Sequence, residues 1–128
     1  MKQCIAGLPS IPPAIGPYSS AVIAEGKFVF VSGVLPYDFE KKSIVRRTLE
    51  EQTVLVLTAL KQVVEASGGN LDQVVSCRVY LQQLTETNFK TMNTVYERFF
   101  GTSKPARTTI GCQLLNVDVE IDCVVQLE

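Results

Sequence analysis

The chain has 128 residues, 46% of them hydrophobic, and neither histidine nor tryptophan. That length suits a single domain over residues 1–128, and the missing imidazole excludes Ser-His-Asp and Cys-His nucleophile systems, His-ligated zinc or haem and a histidine pH switch. Twelve Lys and Arg against thirteen Asp and Glu leave a net charge of −1, which exerts no general pull on phosphate backbones or anionic lipid.

Gln3 to Ala6 predicts a short first strand, and the passage holding Pro9, Pro12, Pro13 and Pro17 cannot be helix interior. Ala21 to Ala24 and Lys27 to Ser32 flank Glu25-Gly26, a connection of hairpin length, so these two strands are expected to pair antiparallel. The basic cluster Lys41, Lys42, Arg46 and Arg47 reads as a solvated turn. Thr48 followed by Glu51 forms a capping box; Val56, Leu57, Leu60, Val63 and Val64 then share one helical face, and Gly68-Gly69 supplies the stop. Val74 to Leu81 alternates as a strand. A second helix is predicted from Thr85–Thr87 to Phe100, with Phe89, Met92, Tyr96, Phe99 and Phe100 as its apolar stripe and Gly101 at its end. Arg107 to Leu114 and Val117 to Leu127 alternate strictly and read as the last two strands.

This order argues an α+β or α/β sandwich with two helices on one face of a six-stranded sheet. The other sheet face is semi-polar, either solvated or pressed against another subunit. Cys4, Cys77, Cys112 and Cys123 have no metal-ligand spacing and read as free thiols in a reducing compartment. No apolar run approaches the roughly 20 residues of a membrane span. A soluble, cytoplasmic protein is therefore expected.

The main chemical candidate is Arg107, whose planar fork suits a carboxylate and which follows Pro105-Ala106. By alternation its side chain is expected to point away from the helix-packed face. Glu120 falls on that same face by parity, so a hairpin of the last two strands would line one cleft with both. Asp118 and Asp122 flank Glu120, and repulsion among three carboxylates is expected to raise one pKa. The plainer alternatives are a salt bridge for Arg107 and a solvated strand face for Glu120. Tyr18 on a Gly-Pro turn, Ser32-Gly33 at a strand end and Asn93 on the second helix are further candidates, each with packing, turn-making or capping as its simpler role. No Gly-rich phosphate loop is present.

Taken in order, Ile15-Gly16-Pro17-Tyr18, Val31-Ser32-Gly33 with Pro36, Asn93 with Tyr96, Phe99 and Phe100, Pro105-Ala106-Arg107-Thr108, and Val119-Glu120-Ile121 resemble the RidA-type reactive-intermediate deaminases, also labelled endoribonuclease L-PSP or translation inhibitor. The resemblance spans nearly the whole chain. It implies a chorismate-mutase-like α+β fold and a homotrimer with a central barrel and clefts between subunits. It also implies hydrolysis of 2-imino and enamine acids, such as 2-aminoacrylate tautomers, to 2-keto acids and ammonia, with no cofactor. Carried over by position, Arg107 grips the substrate carboxylate and Glu120 orients or activates water, while Tyr18, Ser32, Gly33 and Asn93 line the pocket. Two positions depart from the family pattern: Thr109 stands where a cysteine is frequent, keeping a hydrogen-bonding group but no thiol, and Val34 stands where glutamine is frequent. The competing readings are a carboxylate-binding or chaperone-like trimer without catalysis, and a ribonuclease, which the charge and the missing histidine disfavour.

Overall fold

The computed structural model describes residues 2–128. Its strands are β1 (Gln3–Ile5), β2 (Ala21–Ile23), β3 (Lys27–Val34), β4 (Tyr37–Asp38), β5 (Ser43–Ile44), β6 (Val74–Leu81), β7 (Ala106–Gly111) and β8 (Val119–Leu127), with helices α1 (Leu49–Ala66) and α2 (Glu86–Phe100). The main sheet has four strands in the order β3-β8-β6-β7, and β1-β2 and β4-β5 form separate two-stranded ribbons. The expected single six-stranded sheet is therefore replaced by three smaller ones. β6 and β7 run parallel while the other pairs are antiparallel, so the sheet is mixed. A parallel pair needs a long crossover, and α2 supplies it.

The first helix starts where its capping box predicts, and the second starts within the expected Thr85–Thr87 with Thr85 as its cap. The Thr48 hydroxyl accepts from Glu51 N at 3.2 Å and donates to Glu51 Oε1 at 2.8 Å, and Thr85 Oγ1 accepts from Asn88 N at 3.1 Å. Gly68 and Gly101 take positive φ beyond the two helix ends, as residues without Cβ do at this position. Val56, Leu57, Leu60 and Val64 of α1 and Met92, Val95, Tyr96 and Phe100 of α2 are buried against Cys77, Val79, Ile121 and Cys123 of the sheet. Val63, expected on the buried face, is 45% exposed at its margin.

Two pairings differ from expectation. β2 pairs with β1 and not with β3, although the loop between β2 and β3 is hairpin-short. β7 and β8 form no hairpin, because β6 lies between them. The β1-β2 ribbon is tied to the β7 edge instead: Ser19 bridges Ala106, its N–H donates to Pro105 O at 3.0 Å, and its hydroxyl donates to Lys104 O at 2.5 Å. That tie carries the neighbouring Tyr18 to Arg107. Among the described residues no helix is long and apolar enough to cross a membrane.

Candidate active site

Arg107 stands in register with Cys77 of β6, which in turn faces Cys123 of β8. Both cysteines are buried in the core. Side chains at paired positions share a sheet face, so Arg107 points toward the helices, opposite to the expectation. Its guanidinium lies among three aromatic rings, with centroids 4.8 Å away at Tyr96, 5.2 Å at Tyr18 and 5.6 Å at Phe89. Nη1 meets only the Met92 sulfur, at 3.8 Å. Nε and Nη2 are buried without a partner, as are Thr109 Oγ1, Tyr96 Oη and Asn93 Oδ1 beside them. Among the described residues no carboxylate pairs with this arginine. Burial presses its pKa below the ordinary guanidinium value, a range so far above neutrality that the charge persists.

Two unsatisfied nitrogens on a half-buried cation, with three more unsatisfied polar atoms beside them, are unusual in a native structure, where nearly all such groups are bonded. A cleft of about 120 Å³ lined by Ile15, Tyr18, Phe89, Arg107 and Thr109 opens on the arginine and the threonine. Gly16 closes one side: a Cβ there would come within 2.9 Å of Arg107 Nη2 and 3.2 Å of Asn93 Nδ2, so the loop reaches this depth only without a side chain. Cys77, next to Tyr96, is no nucleophile, because burial raises its thiol to about 12.

Glu120 lies elsewhere. It is in register with Tyr80, on the face that carries Arg78 and Asp122, opposite to Arg107. Two strand spacings and three residues separate the two positions, about 14 Å between Cα atoms. Hence the expected shared cleft does not exist within one chain. The expected repulsion among three carboxylates is also relieved. Arg46 Nη2 donates to Asp118 at 2.9 Å, and Arg78 Nε and Tyr80 Oη donate to Asp122 at 2.9 and 3.0 Å. Hydrogen bonding from Arg46 lowers the Asp118 pKa rather than raising it. The Glu120 side chain makes no hydrogen bond or ion pair among the described residues, and its carboxylate lies over Gly33, where a Cβ would collide with Oε2. A register shift between Val31 and Val34 brings Gly33 there, and Ser32 is exposed beside it.

The predicted residues thus divide into two half-sites. Tyr18, Asn93, Arg107 and Thr109 form one, on the helix side; Ser32, Gly33 and Glu120 form the other, on the open face. Phe89, Met92 and Tyr96, read from sequence as core stripe, are the walls that hold Arg107. The signal for them was an arginine on the strand that their helix covers. A larger groove of about 430 Å³ runs between α1 and the β4-β5 ribbon past Val34, Phe39, Ile44 and Val63. Its only ionisable lining group is Tyr37, so it offers little acid/base chemistry. Among the described residues no cluster of Cys, Asp and Glu is arranged to hold a metal.

A family model described as endoribonuclease L-PSP matches residues 9–127. A RutC family protein of Pyrococcus abyssi is 43% identical over 87% of this chain and 85% of its own length. A 2-iminobutanoate/2-iminopropanoate deaminase of Dermatophagoides farinae is 33% identical over 97% of this chain and 96% of its own. Among solved structures, one from Thermotoga maritima, provisionally named an endoribonuclease, superposes with a TM-score of 0.73 at 38% identity over 98% of both chains.

Proposed function

The chain belongs to the endoribonuclease L-PSP family, and from that premise we propose that it hydrolyses 2-imino and enamine acids to 2-keto acids and ammonia, in clefts shared between the copies of a homotrimer. The observation that carries this reading is the half-buried, charged Arg107 with no counter-ion among the described residues, its Nε and Nη2 buried and unsatisfied. A substrate carboxylate supplies the missing partner through a two-bonded fork. Tyr18, Phe89 and Tyr96 hold the guanidinium in place without neutralising it.

The chemistry asks little beyond that anchor. A protonated imine is already electrophilic at C2. Water adds there and gives up a proton, the nitrogen gains one, and the C–N bond of the resulting amino alcohol breaks as its hydroxyl oxygen forms the carbonyl and gives its proton to the departing ammonia, leaving the keto acid and ammonium. A carboxylate that takes the proton from water and returns it to nitrogen is sufficient as acid/base, and Glu120, unpaired over Gly33, suits that role. One chain cannot bring its own Glu120 to its own Arg107, so the Glu120 half-site comes from a neighbouring copy. The open sheet face suits such packing: Phe30 is 77% exposed on β3 and Ile110 is 43% exposed on β7, apolar area that a second sheet would cover.

The test follows ammonia and keto acid released from 2-aminoacrylate or 2-iminobutanoate generated freshly by a dehydratase or an amino-acid oxidase. The protein is expected to accelerate release over buffer, and Arg107→Ala to lower kcat/KM by about 100-fold or more, since binding and alignment are lost together. Release at the buffer rate with wild-type protein overturns the proposal. Carboxylate binding without turnover would point instead to a binding module, which the same unpaired arginine also serves.

A further inference from the structure

Three consecutive backbone carbonyls lie just ahead of Arg107 along the chain, and the N-terminal segment donates to all of them. Lys2 Nζ reaches Ser103 O at 3.2 Å. Lys104 O receives the Ser19 hydroxyl at 2.5 Å and the Cys4 thiol at 3.5 Å, and Pro105 O receives the Ser19 N–H at 3.0 Å. Ser19 supplies two of these four bonds, is only 5% exposed and bridges Ala106. It therefore stitches the chain directly after Tyr18 to the chain directly before Arg107. The three rings around the guanidinium are not held alike. Phe89 and Tyr96 ride on α2 and pack against the core. Tyr18 sits on a loop whose own bonds are local: its N–H donates to Gly16 O at 2.9 Å and its hydroxyl accepts from Ile15 N at 3.3 Å. Those two bonds close the loop on itself, and Ser19 ties it to β7.

Resting on the reading above, we infer that Ser19 is a positioning residue for the carboxylate anchor: by fixing the Tyr18 ring 5.2 Å from the guanidinium carbon, it holds the Arg107 fork in the orientation that a substrate carboxylate needs. Nε and Nη2 have no protein partner, so contact with rings, and not hydrogen bonding, aims the fork. Without the Ser19 hydroxyl, Lys104 O keeps only the weak thiol donor and the Tyr18 loop shifts. A displacement of roughly 1 Å in a positioning group is enough to cost much of its effect. The loss falls on the anchor alone, because Glu120 lies on the opposite sheet face in register with Tyr80. Carboxylate binding is then weakened equally in the ground state and the transition state, which raises KM and leaves kcat in place.

The test compares wild type, Ser19→Ala, Tyr18→Ala and the double variant in imine hydrolysis and in calorimetric titration with 2-ketobutyrate, a keto-acid product. Ser19→Ala is expected to raise KM about tenfold with kcat within about twofold of wild type, and to weaken 2-ketobutyrate by a similar factor. A substitution that merely unfolded part of the sample would lower kcat and leave KM alone, which overturns the inference. In the Tyr18→Ala background the same substitution is expected to cost less than about twofold, since the ring through which Ser19 acts is gone. An equal loss with and without Tyr18 overturns the inference. Ser19→Cys, close to serine in volume and a weaker donor, is expected to fall between wild type and Ser19→Ala in KM; a rise as large as that of alanine overturns it too. Wild-type protein that neither hydrolyses an imine nor binds 2-ketobutyrate overturns the reading of the cleft, and the role of Ser19 falls with it. Wild-type turnover with an indifferent Ser19→Ala overturns the role of Ser19 alone.

Discussion

A guanidinium removed from water without a carboxylate is costly to keep folded. The desolvation penalty amounts to several kcal/mol for an ion in a protein interior, whereas each aromatic face returns about 0.5–2 kcal/mol. Thr109 and Asn93 add polar atoms that no neighbour satisfies. The site is therefore held against the stability of the fold, and Arg107→Met, which fills similar volume without charge, is expected to raise stability by about 1–2 kcal/mol in urea unfolding while abolishing deamination. A variant less stable than wild type would mean that the three rings hold the arginine at a net gain. Gly16 yields a complementary prediction. Its φ is not in the positive range, so alanine adopts the backbone without strain, yet the new Cβ meets Arg107 Nη2 at 2.9 Å. Gly16→Ala is expected to raise KM about tenfold by displacing the fork, with the melting temperature unchanged; an unaltered KM would show that the loop yields more easily than the guanidinium.

The same contrast between paired and unpaired charge separates the elements. At the N-terminal end of α1, Gln52 is fully buried, donates to Asp118 Oδ2 at 2.7 Å and accepts from Asp118 N at 2.9 Å, tying the helix to the entry of β8. Arg46 completes the clamp and, with Gln52, holds the Asp118 carboxyl below its ordinary 3.8. A carboxyl whose folded pKa lies under its unfolded one contributes stability in full above the unfolded value and loses it as pH falls through the folded one. Between about pH 5 and pH 2.5 the melting temperature is therefore expected to drop, and Asp118→Asn is expected to flatten part of that drop; parallel curves would show that Asp118 takes no part. Such elements were legible where their signals are local. Caps at Thr48 and Thr85, the period-two runs of β6 and β8 and the glycine stops all lie within a few residues of what they specify. Strand pairing is not local. Nothing in β7 or β8 records that β6 inserts between them, and that insertion removes the hairpin on which a shared Arg107–Glu120 cleft depends, although the alternation of each strand is plain in the sequence. The β7 face that holds Arg107 and Thr109 packs under α2, although an arginine and a threonine on one strand face look solvated in sequence.

At the scale of the whole molecule, the proposed shared cleft carries a symmetry requirement. If every chain gives Arg107 to one cleft and Glu120 to the next, the contact is head-to-tail, and a head-to-tail contact that closes forms a ring with one cleft per interface. The order of chains around that ring then becomes measurable. Arg107→Ala and Glu120→Ala are each expected to be inactive alone, since on the proposed reading each lacks one half of every cleft. Mixed in equal amounts, unfolded and refolded together, they assemble at random, and a cleft is intact when the Glu120 variant supplies its arginine and the Arg107 variant supplies its carboxylate. About one quarter of the clefts meet that condition, so the mixture is expected to regain about a quarter of wild-type activity per chain. Mixing without unfolding is expected to regain none unless subunits exchange. No recovery in co-refolded protein that light scattering shows to be trimeric would place both groups in clefts built from a single chain, which about 14 Å and opposite sheet faces forbid without rearrangement of β7. A Glu120→Ala variant that keeps wild-type activity on its own would instead remove Glu120 from the reaction, leaving the arginine with a water activated by another group.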